Sequence, residues 1–264
     1  MKRRAGWIFL ILLAVLTACA PKPAAAQEVT VLAAASLTEP FGEIGARFEA
    51  LHPGVKVQFS FAASSQLAQQ IVSGAQADVF ASANVQQMTV AAEAGKVAEV
   101  GSAVFARNRL VVIAPVKNPA GLQSLQDLAR PGVKVVLAAA EVPVGKYGLE
   151  FLEKASQDGS FGADFQANVV KNVVSYESNV KAVLTKVVLG EADAGIVYTS
   201  DISQSAAAQV VQFEIPEALN VIAVYPIAVL KDAADPALAA DFVTLVRSPE
   251  GQQILAKYGF LAGD

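Results

Sequence analysis

The sequence predicts an α/β protein with mixed, mainly parallel sheets flanked by helices. Short apolar, partly β-branched runs alternate with stretches whose apolar residues recur every three to four positions, and Gly or Pro marks many of the changes of period. Such alternation is the pattern of strands joined through helices. Of 264 residues, 54% are hydrophobic and only 17% charged, enough apolar side chain to fill a sizeable core and too much for a disordered chain.

The elements follow in order. Residues 29–34 form an apolar, β-branched run read as a strand. Phe41, Ile44, Phe48 and Leu51 then recur at helical spacing until Pro53-Gly54. Val55, Val57, Phe59 and Phe61 alternate with polar residues as in a half-buried strand, and Ser64-Ser65 opens a helix that carries Leu67 and Ile71 and stops at Gly74. Further strands are expected over 78–81, 110–114, 134–138, 195–198, 210–215 and 221–230, with helices over 85–94, 125–129, 144–155, 180–189 and 237–246.

The first segment reads as export signal rather than fold. Met1-Lys2-Arg3-Arg4 is a basic head, the uncharged apolar run that follows is too short to span a bilayer, and Thr17 and Ala18 are small, so residues 1–18 are expected to be a signal peptide. Leu16-Thr17-Ala18-Cys19 resembles the lipobox of bacterial lipoproteins, which implies acylation of Cys19 and an exported protein, periplasmic or on the outer face of the cytoplasmic membrane, lipid-anchored through that residue. Residues 19–27, rich in Ala and Pro, read as a tether. Cleavage leaves 246 residues and, by removing Lys2, Arg3 and Arg4, takes the formal net charge from −4 to −7. An acidic body argues against a nucleic acid partner. One Cys and one His exclude a zinc cluster, a Cys–His nucleophile pair and a disulfide framework. The length fits one to two domains without a Gly/Ser linker, and the apolar runs 109–115 and 220–226, each closed by Pro, are candidates for crossings between two lobes.

Four predicted helices start where strand-like runs end in small or polar residues: Ala33-Ala34-Ala35-Ser36, Phe61-Ala62-Ala63-Ser64, Val142-Pro143-Val144-Gly145 and Ser178-Asn179-Val180. A helix start presents unpaired N–H donors and the positive end of a dipole, and small residues let an anion approach them. Each start also has an ordinary reading. Ser36 and Glu39 have capping-box spacing, which would place a carboxylate on the very N–H an anion needs, and Ser64 or Ser178 can simply cap its own helix. Other matches are weaker. Ser178 and Lys181 have the S-x-x-K spacing of serine hydrolases but lack the partner K-T-G and S-D-N sequences; Gly145-Lys146-Tyr147 matches only the end of a phosphate loop. His52 reads as a helix-end residue and Asp78 as structural.

Taken together, these stretches, with Ala77-Asp78-Val79-Phe80-Ala81-Ser82, Gly195-Ile196-Val197-Tyr198-Thr199-Ser200-Asp201 and Tyr258-Gly259-Phe260, resemble the molybdate-binding proteins of bacterial ABC transporters, type II periplasmic solute-binding proteins, over nearly all of the mature chain. The resemblance implies a two-lobed type II fold with the ligand cleft between the lobes. Lobe 1 is expected over 28–107 and 226–264 and lobe 2 over 108–225. It further implies a monomeric, non-enzymatic receptor for molybdate or tungstate, without cofactor or free metal ion, that serves an ABC permease. The implied ligand contacts are Ser36 and Ser64 through hydroxyl and main chain, Val144 and Val180 through N–H, and Tyr198 through its hydroxyl. Sulfate or another tetrahedral oxyanion on the same fold is the alternative, and an exported hydrolase using Ser178 and Lys181 a distant one. A donor-only site suits a fully ionised oxyanion, which accepts hydrogen bonds and has none to give.

Overall fold

The computed structural model describes residues 27–202 and 204–263; the expected signal segment, Cys19 and the tether up to residue 26 lie outside the described residues. The chain begins as the sequence pattern suggests. β1 (Gln27–Ala34), a 3-10 turn (Ala35–Leu37), α1 (Thr38–Leu51), β2 (Val55–Ala62), α2 (Ser64–Val72), β3 (Val79–Ala81) and α3 (Val85–Glu93) follow one another. β1 is the hub: Val31 lies beside Phe59 of β2 and Val79 of β3, both parallel to it. β4 (Val97–Asn108) ends this first segment.

Two residues beyond β4 the chain enters a second sheet as β5 (Leu110–Pro115). A 3-10 turn (Leu125–Ala129), β6 (Val135–Ala138), α4 (Pro143–Gln157), α5 (Phe165–Lys171), β7 (Val173–Glu177), α6 (Val180–Val188) and β8 (Ala194–Tyr198) continue it. Another 3-10 turn (Thr199–Asp201), the single-turn α7 (Gln204–Ala207) and β9 (Val210–Glu214) complete it. β10 (Ala223–Leu230) returns to the first sheet, followed by α8 (Pro236–Arg247), α9 (Pro249–Lys257) and β11 (Leu261–Ala262). The strand orders are β11-β4-β10-β3-β1-β2 and β7-β6-β8-β5-β9.

Both sheets are mixed, and parallel pairing is confined to β1–β2, β1–β3, β6–β7 and β6–β8. The remaining pairs are antiparallel, because β10 arrives from the second sheet between β3 and β4, and β5 runs against β8 and β9. The two crossings lie side by side: the Leu110 N–H donates to Asn220 Oδ1 (3.0 Å), and Asn220 Nδ2 donates to the Leu110 carbonyl (2.9 Å). β10 pairs Ala223 with Asn108 and Tyr225 with Ala106. Residues 223–225 and Asn108 therefore belong to the first sheet, although the 108–225 boundary puts them in the second lobe. Pro226 sits inside β10 rather than closing a crossing; the register shifts beside it, where a missing N–H is tolerated.

The apolar stripe of α1 explains its seat. Phe41, Ile44 and Phe48 are fully buried, and the rings of Phe41 and Phe48 meet Phe242 of α8 edge-on. On another side of the first sheet, Leu67 and Ile71 of α2 pack with Met88 and Ala91 of α3 against Leu32, Phe80 and Leu230. In the second sheet, α6 buries Val183 and Val187 against Gly195 of β8, where an added Cβ would stand 2.9 and 3.0 Å from those two side chains.

Candidate functional site

The cleft is built at the carboxyl ends of five strands, where open α/β sheets bind ligands. Ser36 sits in the turn after β1, Ser64 is the first residue of α2 after β2, and Val144 is the second residue of α4 after β6. Val180 is the first residue of α6 after β7, and Tyr198 ends β8. All five line one cleft together with Ala34, Ala35, Ala62, Ala63 and Ala83, and it holds about 220 Å³ of atom-free space. No Asp, Glu, Lys, Arg or His lines it.

Its chemistry is that of donors. The N–H groups of Ser36, Ser64, Val144 and Val180 lie in first turns, where no acceptor exists within the helix, and none is engaged elsewhere among the described residues. Side-chain caps are absent from α1, α2 and α4, whereas Asn84, Asp235 and Ser248 cap α3, α8 and α9. α6 is capped by Asn179, but that cap takes the Ala182 N–H and leaves Val180 uncovered. Tyr198 is 1% exposed and its hydroxyl has no hydrogen-bond partner within 3.5 Å among the described residues; burial first, and the neighbouring Tyr225 next, push its pKa well above the usual tyrosine range, so it stays an O–H. Helix starts without caps and a buried hydroxyl without a partner are local costs that a bound acceptor would offset.

The capping-box expectation at Ser36 does not hold. Glu39 turns away to Lys181 Nζ at 2.7 Å, and Ser36 Oγ lies 2.9 Å from the Tyr225 hydroxyl. Ser64 and Ser178 are not caps either: Ser64 Oγ accepts from the Ala83 N–H at 2.9 Å, and Asn179, not Ser178, caps α6. Lys181 Nζ, contacting Glu39 and, at 3.5 Å, Asp201 Oδ1, is committed to carboxylates rather than to Ser178. Asp78 accepts from the N–H groups of Thr30 and Ala234, each at 2.7 Å, a structural role. His52 stacks on Phe48 at the end of α1.

The sequence reading missed Asp201 as a buried carboxyl. It accepts from the Tyr198 N–H at 3.0 Å, and burial pushes its pKa up to about 6 against the opposing pull of Lys181. Its only signal was its place three residues after Tyr198, since Lys181, which reaches it, and Glu39, paired with that lysine, come from distant parts of the chain. Lys146 of α4 likewise reaches Gln86 of α3 at 2.6 Å, a second tie across the cleft beside Glu39–Lys181.

Two mixed sheets meeting at a small, donor-lined cleft define a binding protein for a small acceptor-rich solute. The chain belongs to the bacterial extracellular solute-binding protein family, whose model matches residues 29–261. It is 42% identical to the molybdate-binding protein ModA of Mycobacterium tuberculosis, over 97% of this chain and 96% of that protein. The periplasmic molybdate-binding protein of Azotobacter vinelandii has the same fold, with a TM-score of 0.77 and 21% identity over 89% of this chain and 100% of that one. The sulfate-binding protein SubI of Mycobacterium tuberculosis gives 0.78 and 21% over 90% and 88%.

Proposed function

We propose that this chain captures molybdate, with tungstate as its near equivalent, between two lobes outside the cytoplasm and delivers it to an ABC permease. The observation that carries the proposal is the convergence of three hydroxyls, on Ser36, Ser64 and Tyr198, and four first-turn N–H groups on one small cleft without a charged side chain. A doubly negative tetrahedral oxyanion presents acceptors on every side, and charge-assisted hydrogen bonds from aligned dipoles stabilise it without a counter-ion. A carboxylate in the cleft would repel it, and none is there. The names carried by relatives at 42% and lower identity support the same ligand. Attachment through an acylated Cys19 is the proposed anchor, supported by the lipobox-like Leu16-Thr17-Ala18-Cys19; no helix among the described residues is long and apolar enough to cross a membrane. Nothing in this scheme requires a reaction or a cofactor: the protein acts by binding and release.

Calorimetry on the purified protein, with molybdate titrated alone and then in the presence of excess sulfate, tests the ligand. Saturable molybdate binding that sulfate fails to displace is expected. Sulfate binding tighter than molybdate, read from the loss of the molybdate signal in sulfate, would move the assignment to sulfate. Intact mass of the exported protein, showing a diacylglyceryl adduct at Cys19 or its absence, tests the anchor.

A further inference from the structure

Ser36 can serve an anion only if its proton points into the cleft, and a serine hydroxyl is equally able to accept. What fixes its direction lies behind it. The chain of hydrogen bonds starts at an atom that cannot reverse, the backbone N–H of Arg109, which donates to Asn108 Oδ1 at 2.9 Å. Thr199 Oγ1 donates to the same oxygen at 3.0 Å. With its oxygen so held, the fully buried Asn108 amide has only N–H bonds to offer on its other side. These go to Ser200 Oγ at 2.7 Å and to the Tyr225 hydroxyl at 3.4 Å. Tyr225, itself fully buried, thus accepts from Asn108, and its remaining hydrogen-bonding neighbour within 3.5 Å among the described residues is Ser36 Oγ at 2.9 Å.

We propose that Asn108 and Tyr225, neither of which lines the cleft, are positioning residues that make the Ser36 hydroxyl an obligate donor to the bound oxyanion. The proposal rests on the oxyanion reading above. Tyr225 gives its proton to Ser36 Oγ, so the Ser36 proton has only the cleft to enter. Ser64 shows the shorter form of the device: the Ala83 N–H occupies its oxygen directly, leaving its proton for the cleft. Burial raises the Tyr225 pKa, which keeps its proton available for the relay. Edge-on packing against Phe105, Tyr198 and Phe260 holds the Tyr225 ring in place.

A double-mutant cycle read by calorimetry tests this, with molybdate, tungstate and sulfate each titrated into the wild-type protein first. Tyr225→Phe is expected to weaken molybdate binding about tenfold, the size of one lost hydrogen bond. Ser36→Ala should weaken it further, and Tyr225→Phe should cost nothing more in the Ser36→Ala background. Equal losses in both backgrounds, or no loss from Tyr225→Phe, overturn the relay. Asn108→Asp supplies a second route, because a carboxylate offers Tyr225 only acceptors and turns the chain round. Its loss should match or exceed that of Tyr225→Phe and be relieved by Ser36→Ala; a loss that persists there reports charge or misfolding and overturns the relay. Thermal unfolding of each variant identifies any that fails to fold. If the wild type binds sulfate but not molybdate, the ligand assignment falls and the cycle is run on sulfate; if it binds none of the three, both fall.

Discussion

Tyr198 carries the most telling contradiction at the residue scale: a hydroxyl buried to 1% exposure with no partner costs about 1 to 3 kcal/mol and yet stands at the cleft. Tyr198→Phe should therefore raise the unfolding temperature of the ligand-free protein while weakening molybdate binding about 10- to 100-fold, the range for a hydrogen bond to a charged group. Val180→Ala should leave affinity within about threefold, because its N–H survives and the smaller side chain still favours a helix. Calorimetry and thermal melts on the two variants, side by side, check the contrast; a Val180→Ala that abolishes binding would assign the contact to the side chain. The small residues before Ser36 and Ser64 made these positions readable from the sequence. What the sequence misread was Glu39, whose spacing fits a capping box but whose carboxylate pairs with Lys181, 142 residues away. A local rule could not foresee a partner supplied by the other sheet. Tyr225 and Asn108 were hidden for the same reason, since their meaning comes from meeting each other and Ser36 in space.

At the scale of the element, the position of α4 depends on Gly145. An added Cβ there would stand 2.1 Å from the Ala139 carbonyl oxygen and 2.5 Å from that of Ala138, both backbone atoms at the end of β6. Only glycine lets the first turn lie so close to the strand, and that approach sets where the Val144 N–H points. Gly145→Ala should destabilise the protein by about 1 to 3 kcal/mol, as for overpacking, and also weaken molybdate binding, whereas a purely structural position would show only the first effect. Chemical denaturation paired with calorimetry separates the two. The elements that the periodicity revealed are those with a continuous apolar face. β4 went unread because Gly101, with φ of 73°, interrupts a largely half-exposed strand, and β7 because an edge strand of mixed composition carries no clear alternation. α9 has a Pro-led start and a strongly polar face, and β11 is two residues long, below any usable period.

The whole molecule is tied together across the cleft by charge as well as by the two crossings. α-Helical Lys181 of the second sheet's α6 holds Glu39 of the first sheet's α1 at 2.7 Å and also faces the fully buried Asp201, whose other oxygen receives the Tyr198 N–H. The alternation of strands and helices foretold an α/β protein with mainly parallel sheets, where both sheets are in fact mixed, but this triad needed the folded arrangement, because its members come from residues 39, 181 and 201. Asp201 makes it visible in stability. Burial raises its folded pKa to about 6 from the ordinary 3.8, with Glu39 adding to the rise and Lys181 and the Tyr198 N–H opposing it. Between these two values the folded chain binds the proton that the unfolded chain has lost, so the slope of stability against pH is negative there. The contribution of Asp201 is present below about pH 4 and is lost as pH climbs through about 6, by on the order of 3 kcal/mol at most. Glu43, Glu49 and Glu177, whose pKa values are lowered by ion-pair partners, pull the other way and favour the higher pH. The Asp201 effect is thus read as a difference: in denaturant titrations, Asp201→Asn should gain stability relative to the wild type as pH rises from 4 to 7. A constant difference across that range would show that Asp201 is ionised throughout, held so by Lys181, and that the triad carries two full negative charges around one lysine.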